Sequence, residues 1–142
     1  MKLVFCKSKN DGLWFINKRQ SSDKVITQKI INDVKISGSN LWVSEYSKPM
    51  FENEGYCDAK IITKDSVFEK NDIVFIEDLD YKNFIDKADE ILIIDWKRDY
   101  PATKKFNIPS GLKLKDEYSM VGHSHEEIIL REYNKEEMNE KN

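Results

Sequence analysis

Glu90-Ile91-Leu92-Ile93-Ile94-Asp95-Trp96 is the most apolar stretch of this chain, and its reading decides the fold. The aliphatic run 91–94 has the length of a strand and falls far short of the roughly 18 residues that a membrane span requires. A strand that is apolar at successive positions has both faces covered, so residues 90–96 are expected at the centre of a sheet.

Upstream of this strand, Asp80–Lys87 reads as a short helix with Tyr81, Phe84 and Ile85 turned inward. Asp72–Ile76 and Ala59–Thr63 read as strands joined through Lys64–Asn71, and Leu41–Tyr46, rich in β-formers, as another. Ser47–Gly55 is a loop marked by Pro49 and Gly55. Val25, Ile26, Ile30, Ile31 and Val34 recur at helical spacing, which predicts a helix over Asp23–Lys35, capped by Ser21 or Ser22 and stopped by Ser37-Gly38-Ser39. Lys2–Lys7 and Leu13–Lys18 flank the turn residues Asn10-Asp11-Gly12, a hairpin signature.

Downstream, Pro101 and Pro109 keep Arg98–Ser110 extended, and Leu112–Tyr118 is a candidate edge strand. Ser124-His125-Glu126-Glu127 fits a capping box and predicts a helix over Glu126–Tyr133, followed by a fraying tail at 134–142. The expectation is an α+β fold in a single domain, residues 1–142. Its sheet is mostly antiparallel or mixed, with about five to seven strands and two main helices packed on it.

The formal charge of the 142-residue chain is −3, unevenly spread. Residues 51–95 hold 13 acidic groups against 5 lysines, whereas 1–50 and 96–116 are basic and 117–142 is acidic again. Glycine-rich phosphate loops and a nucleophile elbow are absent, and the apolar run near Met1 is too short for a signal peptide. A cytoplasmic protein without membrane association is the expectation. Two cysteines, Cys6 and Cys57, cannot complete a four-ligand zinc site, so neither a metal nor another cofactor is expected.

Three groups of residues are candidates for function. The acidic set Glu77, Asp78, Asp80, Asp86, Asp89, Glu90 and Asp95 is either a solvated surface or a docking face for a basic protein. Trp96-Lys97-Arg98-Asp99-Tyr100 interleaves rings with charges, suiting structural packing or a protein interface anchored by Trp96 and Tyr100. Nucleic acid suits that stretch less, because the chain lacks a basic excess. His123 and His125 either flank a turn or act as the acid and base of a small RNase or hydrolase, with Lys97 or Arg98 holding a phosphate.

The small, acidic, single-domain α+β pattern resembles that of the immunity proteins paired with bacterial contact-dependent or polymorphic toxins. The stretch Ala88–Asp99, the following Tyr100-Pro101-Ala102 and the late Gly122-His123-Ser124-His125-Glu126 look like motifs of a bacterial family, without a diagnostic immunity motif. The resemblance implies a protein that binds a basic toxin, a nuclease, and plugs its active site with acidic groups. The alternatives are the His123/His125 hydrolase and a phage or host accessory protein that modulates a nucleoprotein.

Overall fold

The computed structural model describes residues 1–135. Nine strands and two α-helices run in the order β1 (Lys2–Lys7), β2 (Gly12–Trp14), α1 (Lys24–Ser37), β3 (Leu41–Val43), α2 (Lys48–Glu52), β4 (Lys60–Ile61), β5 (Ile73–Phe75), β6 (Glu90–Asp95), β7 (Lys104–Lys105), β8 (Leu112–Met120) and β9 (Ile128–Lys135). Seven of the strands form one mixed sheet in the order β4-β3-β5-β1-β6-β9-β8, and β2 pairs with β7 in a small antiparallel ribbon. The five strands from β4 to β6 are mutually parallel, whereas β9 runs against β6 and β8 against β9.

As the uninterrupted apolar run requires, β6 is covered on both faces. Leu92 and Ile94 join Val4, Phe75, Leu41, Val43, Ile128 and Leu130 under the inner face of α1, formed by Ile26, Ile30, Ile31 and Val34. Ile91 and Ile93 join Leu3, Phe5, Val74 and Ile76 on the opposite face. There Tyr81, Phe84 and Phe106 cover the sheet, the first two from 3-10 turns at Tyr81–Asn83 and Ile85–Lys87 and their linker. The short helix expected over Asp80–Lys87 is these two turns.

Two expectations are corrected. The hairpin near the start is not a two-stranded ladder: β1 lies between β5 and β6, and β2 turns away to pair with β7. Of the two expected alternatives the sheet is the mixed one, and its core is parallel because α1 carries the chain from β1 across to β3. The second main helix, expected over Glu126–Tyr133, is strand β9. Its Ile128 and Leu130 bury on the α1 side and Tyr133 on the other, and its backbone pairs along the whole of β6. Without β9, the most apolar strand would lie at an edge, with the backbone groups on the side away from β1 unpaired. Burial and pairing therefore override the local helix signal. The tail expected to fray from Asn134 is paired through Lys135, and 136–142 lies outside the described residues.

Among the described residues no helix is long and apolar enough to cross a membrane.

Candidate functional site at the carboxyl ends of the parallel strands

In an open parallel sheet, ligands bind outside the carboxyl ends of the strands, where successive connections leave in opposite directions. Here that point lies between β1, whose connection through α1 leads to β3, and β5, whose 3-10 turns lead past β1 to β6. The start of α1, the loop before α2, and the β8–β9 connection converge on this end.

The best-connected group there is Asp23. It is the N-cap of α1, accepting the Val25 amide at 2.9 Å, and its side chain is fully buried. The β8–β9 connection supplies its other donors. The His123 and Ser124 amides lie at 2.9 and 3.0 Å, the Ser124 hydroxyl at 3.2 Å, and His125 Nδ1 at 2.8 Å. Burial pushes the Asp23 carboxyl up, but the amides of His123 and Ser124, the His125 ring and the Val25 amide outweigh it. The group is held well below the usual carboxylate range.

A carboxylate only accepts, so His125 presents its Nδ1 proton to Asp23. In the neutral ring the single Nε2 lone pair accepts from Ser21 Oγ at 3.0 Å, while Tyr100 Oη, 3.3 Å from Nε2, donates to Ser21 Oγ at 3.4 Å. Trp96 stacks on the His125 ring, centroids 4.8 Å apart. Gly122 is required here: a Cβ on it would lie 2.6 Å from Asp23 Oδ2 and 2.9 Å from Ile128 Cδ1.

A second polar cluster closes the end of β5. Arg19 donates from Nε and Nη2 to the two Glu77 oxygens at 2.9 and 3.0 Å, and Ser47 Oγ donates to Glu77 at 2.8 Å. Ser44 Oγ donates to Asp78 at 2.6 Å. Between the two clusters, Cys6, Ser21, Ile26, Phe75 and Trp96 surround only about 10 Å³ of space, at the lower limit for one water. Burial pushes the Cys6 thiol well up. At the end of β6, Asp95 is bound by the Lys97 amide, Arg131 and Lys7.

Open space lies beside these clusters. A cleft of about 380 Å³ runs between the first turn of α1 and α2, with Pro49 and Met50 on its apolar side and Lys24, Tyr46, Asn53 and Glu54 among its polar lining. A depression of about 420 Å³ around Met1, Lys70 and Asp89 lies at the opposite, amino end of the strands.

The candidate residues from the sequence are dispersed. Glu77 and Asp78 stand at the carboxyl end of β5, whereas Asp86, Asp89 and Glu90 lie at or before the start of β6, at the other end of the parallel sheet. Asp80 caps a 3-10 turn, and Asp89 holds the Met1 amino group at 2.8 Å. Trp96 is buried and Tyr100 half-buried against His125, so neither projects as an interface anchor. His123 is exposed and contributes its backbone, whereas His125 is buried. The two rings therefore do not face one site. Among the described residues no three His, Cys, Asp or Glu side chains gather as a metal site requires.

Asp23, Arg19, Ser21, Ser44 and Ser47 carry no functional signature in the sequence. The one local signal is Ser21-Ser22-Asp23 ahead of an apolar helical stripe, with Asp23 as the actual cap.

No family model matches the chain, and neither does any curated protein. Solved structures do. One is a dihydrofolate reductase from Enterococcus faecalis, complexed with NADP(H) and RAB-propyl, at a TM-score of 0.63 and 8% identity, covering 96% of this chain and 96% of that one. This likeness overturns the resemblance to immunity proteins, and with it the toxin-nuclease partner, the hydrolase built on His123 and His125, and the accessory-protein alternative. The split acidic set and the buried Trp96 and His125 supply the physical reasons. In fold, over nearly its whole length, the chain is similar to a dihydrofolate reductase.

Proposed function

We propose that this chain binds a dihydrofolate-like small molecule, a flat nitrogen heterocycle with an anionic tail, in the cleft between α1 and α2. The observation that carries the reading is the position and size of that cleft. It opens at the carboxyl end of a parallel sheet beside the topological switch point, and about 380 Å³ is within the range of small-molecule sites. The fold likeness to a dihydrofolate reductase supports the ligand class.

The lining suits such a molecule. Pro49 and Met50 offer an apolar wall for a ring, with Tyr46 at the rim. Glu54 and Asn53 accept from ring N–H groups, and Lys24 meets a carboxylate tail. Asp23 forms the back of the cleft in a different role. Its oxygens already take five donors, so it holds the walls in place rather than the ligand.

Isothermal titration calorimetry with dihydrofolate tests this reading. Saturable one-to-one binding is expected, weakened about tenfold or more in Lys24→Glu, since charge-assisted contacts contribute about 1.5–3 kcal/mol. No heat of binding at millimolar ligand, or identical affinity in Lys24→Glu and Glu54→Lys, would defeat it. The solved reductase is also complexed with NADP(H), a dinucleotide.

A further inference from the structure

A dinucleotide is held where a parallel strand hands over to a helix. Glycines let the backbone approach the pyrophosphate, and the amides of the helix's first turn face it. None of the three central strand ends offers that arrangement. β5 runs on into Ile76-Glu77-Asp78 and then into two 3-10 turns of three residues each. Two carboxylates thus stand where close backbone approach is needed, and no full helix follows. β1 ends in the turn Ser8–Gly12, where the space a phosphate would enter at Gly12 is filled. A Cβ there would lie 2.5–2.6 Å from Gln20, Ala102 and Ser8. β6 ends at Asp95, followed by Trp96 and by Lys97 at φ 57.

The helix of useful length, α1, does not compensate. Its N-terminus is capped by Asp23, a resident anion. Of the guanidinium groups, the other common phosphate ligands, two are held by carboxylates and the third, Arg98, is exposed with one bond to a carbonyl. Arg19 is bidentate on Glu77, Arg98 donates to the Ser124 carbonyl, and Arg131 bridges Asp95 and Glu117. These are the chain's three arginines.

We infer that the strand-end crevice is a self-satisfied polar lock that excludes dinucleotides, with Asp78 repelling phosphate and the Arg19–Glu77 pair closing the 15–22 connection over the end of β5. The inference does not depend on what occupies the α1–α2 cleft. Ser44 and Ser47, both in the loop before α2, complete the lock by donating to the two carboxylates.

Two measurements on the full chain test it. In a titration followed by NADPH fluorescence, the wild-type protein shows no saturable change up to about 1 mM, and binding tighter than about 0.1 mM overturns the inference. In a proton–nitrogen NMR spectrum, the Arg19 Nε–H signal is protected from solvent exchange. Glu77→Gln speeds that exchange about ten- to a hundredfold, the loss of a charge-assisted hydrogen bond. A wild-type Arg19 signal exchanging as fast as that of a free arginine would mean the guanidinium is available to phosphate, and would overturn the lock. Failure of dihydrofolate binding changes neither readout, so the two readings fail separately.

Discussion

Replacing Asp23 by asparagine removes a charge while preserving shape, and the surrounding hydrogen bonds set the cost. The Oδ1 position keeps its acceptor and still takes the Val25 and His123 amides. At Oδ2 an amide NH₂ would face the Ser124 amide and hydroxyl and His125 Nδ1. Donors then oppose donors in a fully buried position. Charge-assisted hydrogen bonds contribute about 1.5–3 kcal/mol each, and leaving a buried donor unsatisfied costs about 1–3 kcal/mol. These terms overlap, so the expected loss is about 3 kcal/mol at pH 7. For a chain of this size that lowers Tm by about 6–12 °C.

The same group sets a pH signature. The folded Asp23 carboxyl titrates well below its unfolded value, so its contribution is complete above the unfolded value of about 4 and is lost as pH falls toward the folded one. Urea unfolding followed by circular dichroism at pH 7 and pH 3 reads both effects. The gap between wild type and Asp23→Asn should be about 1 kcal/mol smaller at pH 3. A loss under about 1 kcal/mol at pH 7, or a gap unchanged at pH 3, would refute the role given to Asp23.

Two further substitutions probe the same architecture. Gly122→Ala places a Cβ 2.6 Å from Asp23 Oδ2 and 3.0 Å from the His125 carbonyl, and should cost about 1–3 kcal/mol in denaturant unfolding. Ile94→Ala opens the core between β6 and α1 at a fully buried position and should cost about 2–5 kcal/mol, with unfolding remaining cooperative.

What the sequence disclosed depended on whether the deciding contact was local. The β6 strand was legible because Ile91–Ile94 can be satisfied only by cover on both faces. Helix α1 was legible because its stripe and its stop at Gly38 lie within one segment. The β9 strand was not: Ser124-His125-Glu126-Glu127 is a sound local helix signal, and only the open edge of β6, more than thirty positions upstream, defeats it. Likewise the turn chemistry near Gly12 is real, with Asp11 at φ 64, but the central place of β1 comes from parallel partners far along the chain. The site was least legible of all. Asp23 and His125 are 102 positions apart and Arg19 and Glu77 are 58 apart, so no spacing rule joins them. The acidic run, whose convergence in space no sequence signal decides, is split because the chain crosses the sheet between Asp78 and Asp89.

Whether the α1–α2 cleft is the binding site is decided by a proton–nitrogen NMR titration of the labelled protein with dihydrofolate. Shift changes are expected to centre on Lys24, Tyr46, Asn53 and Glu54, the residues lining that cleft, with the amide of Lys70 at the opposite end of the strands unmoved. Changes centred instead on Lys70 and Asp89, or none at millimolar ligand, would contradict binding in the cleft.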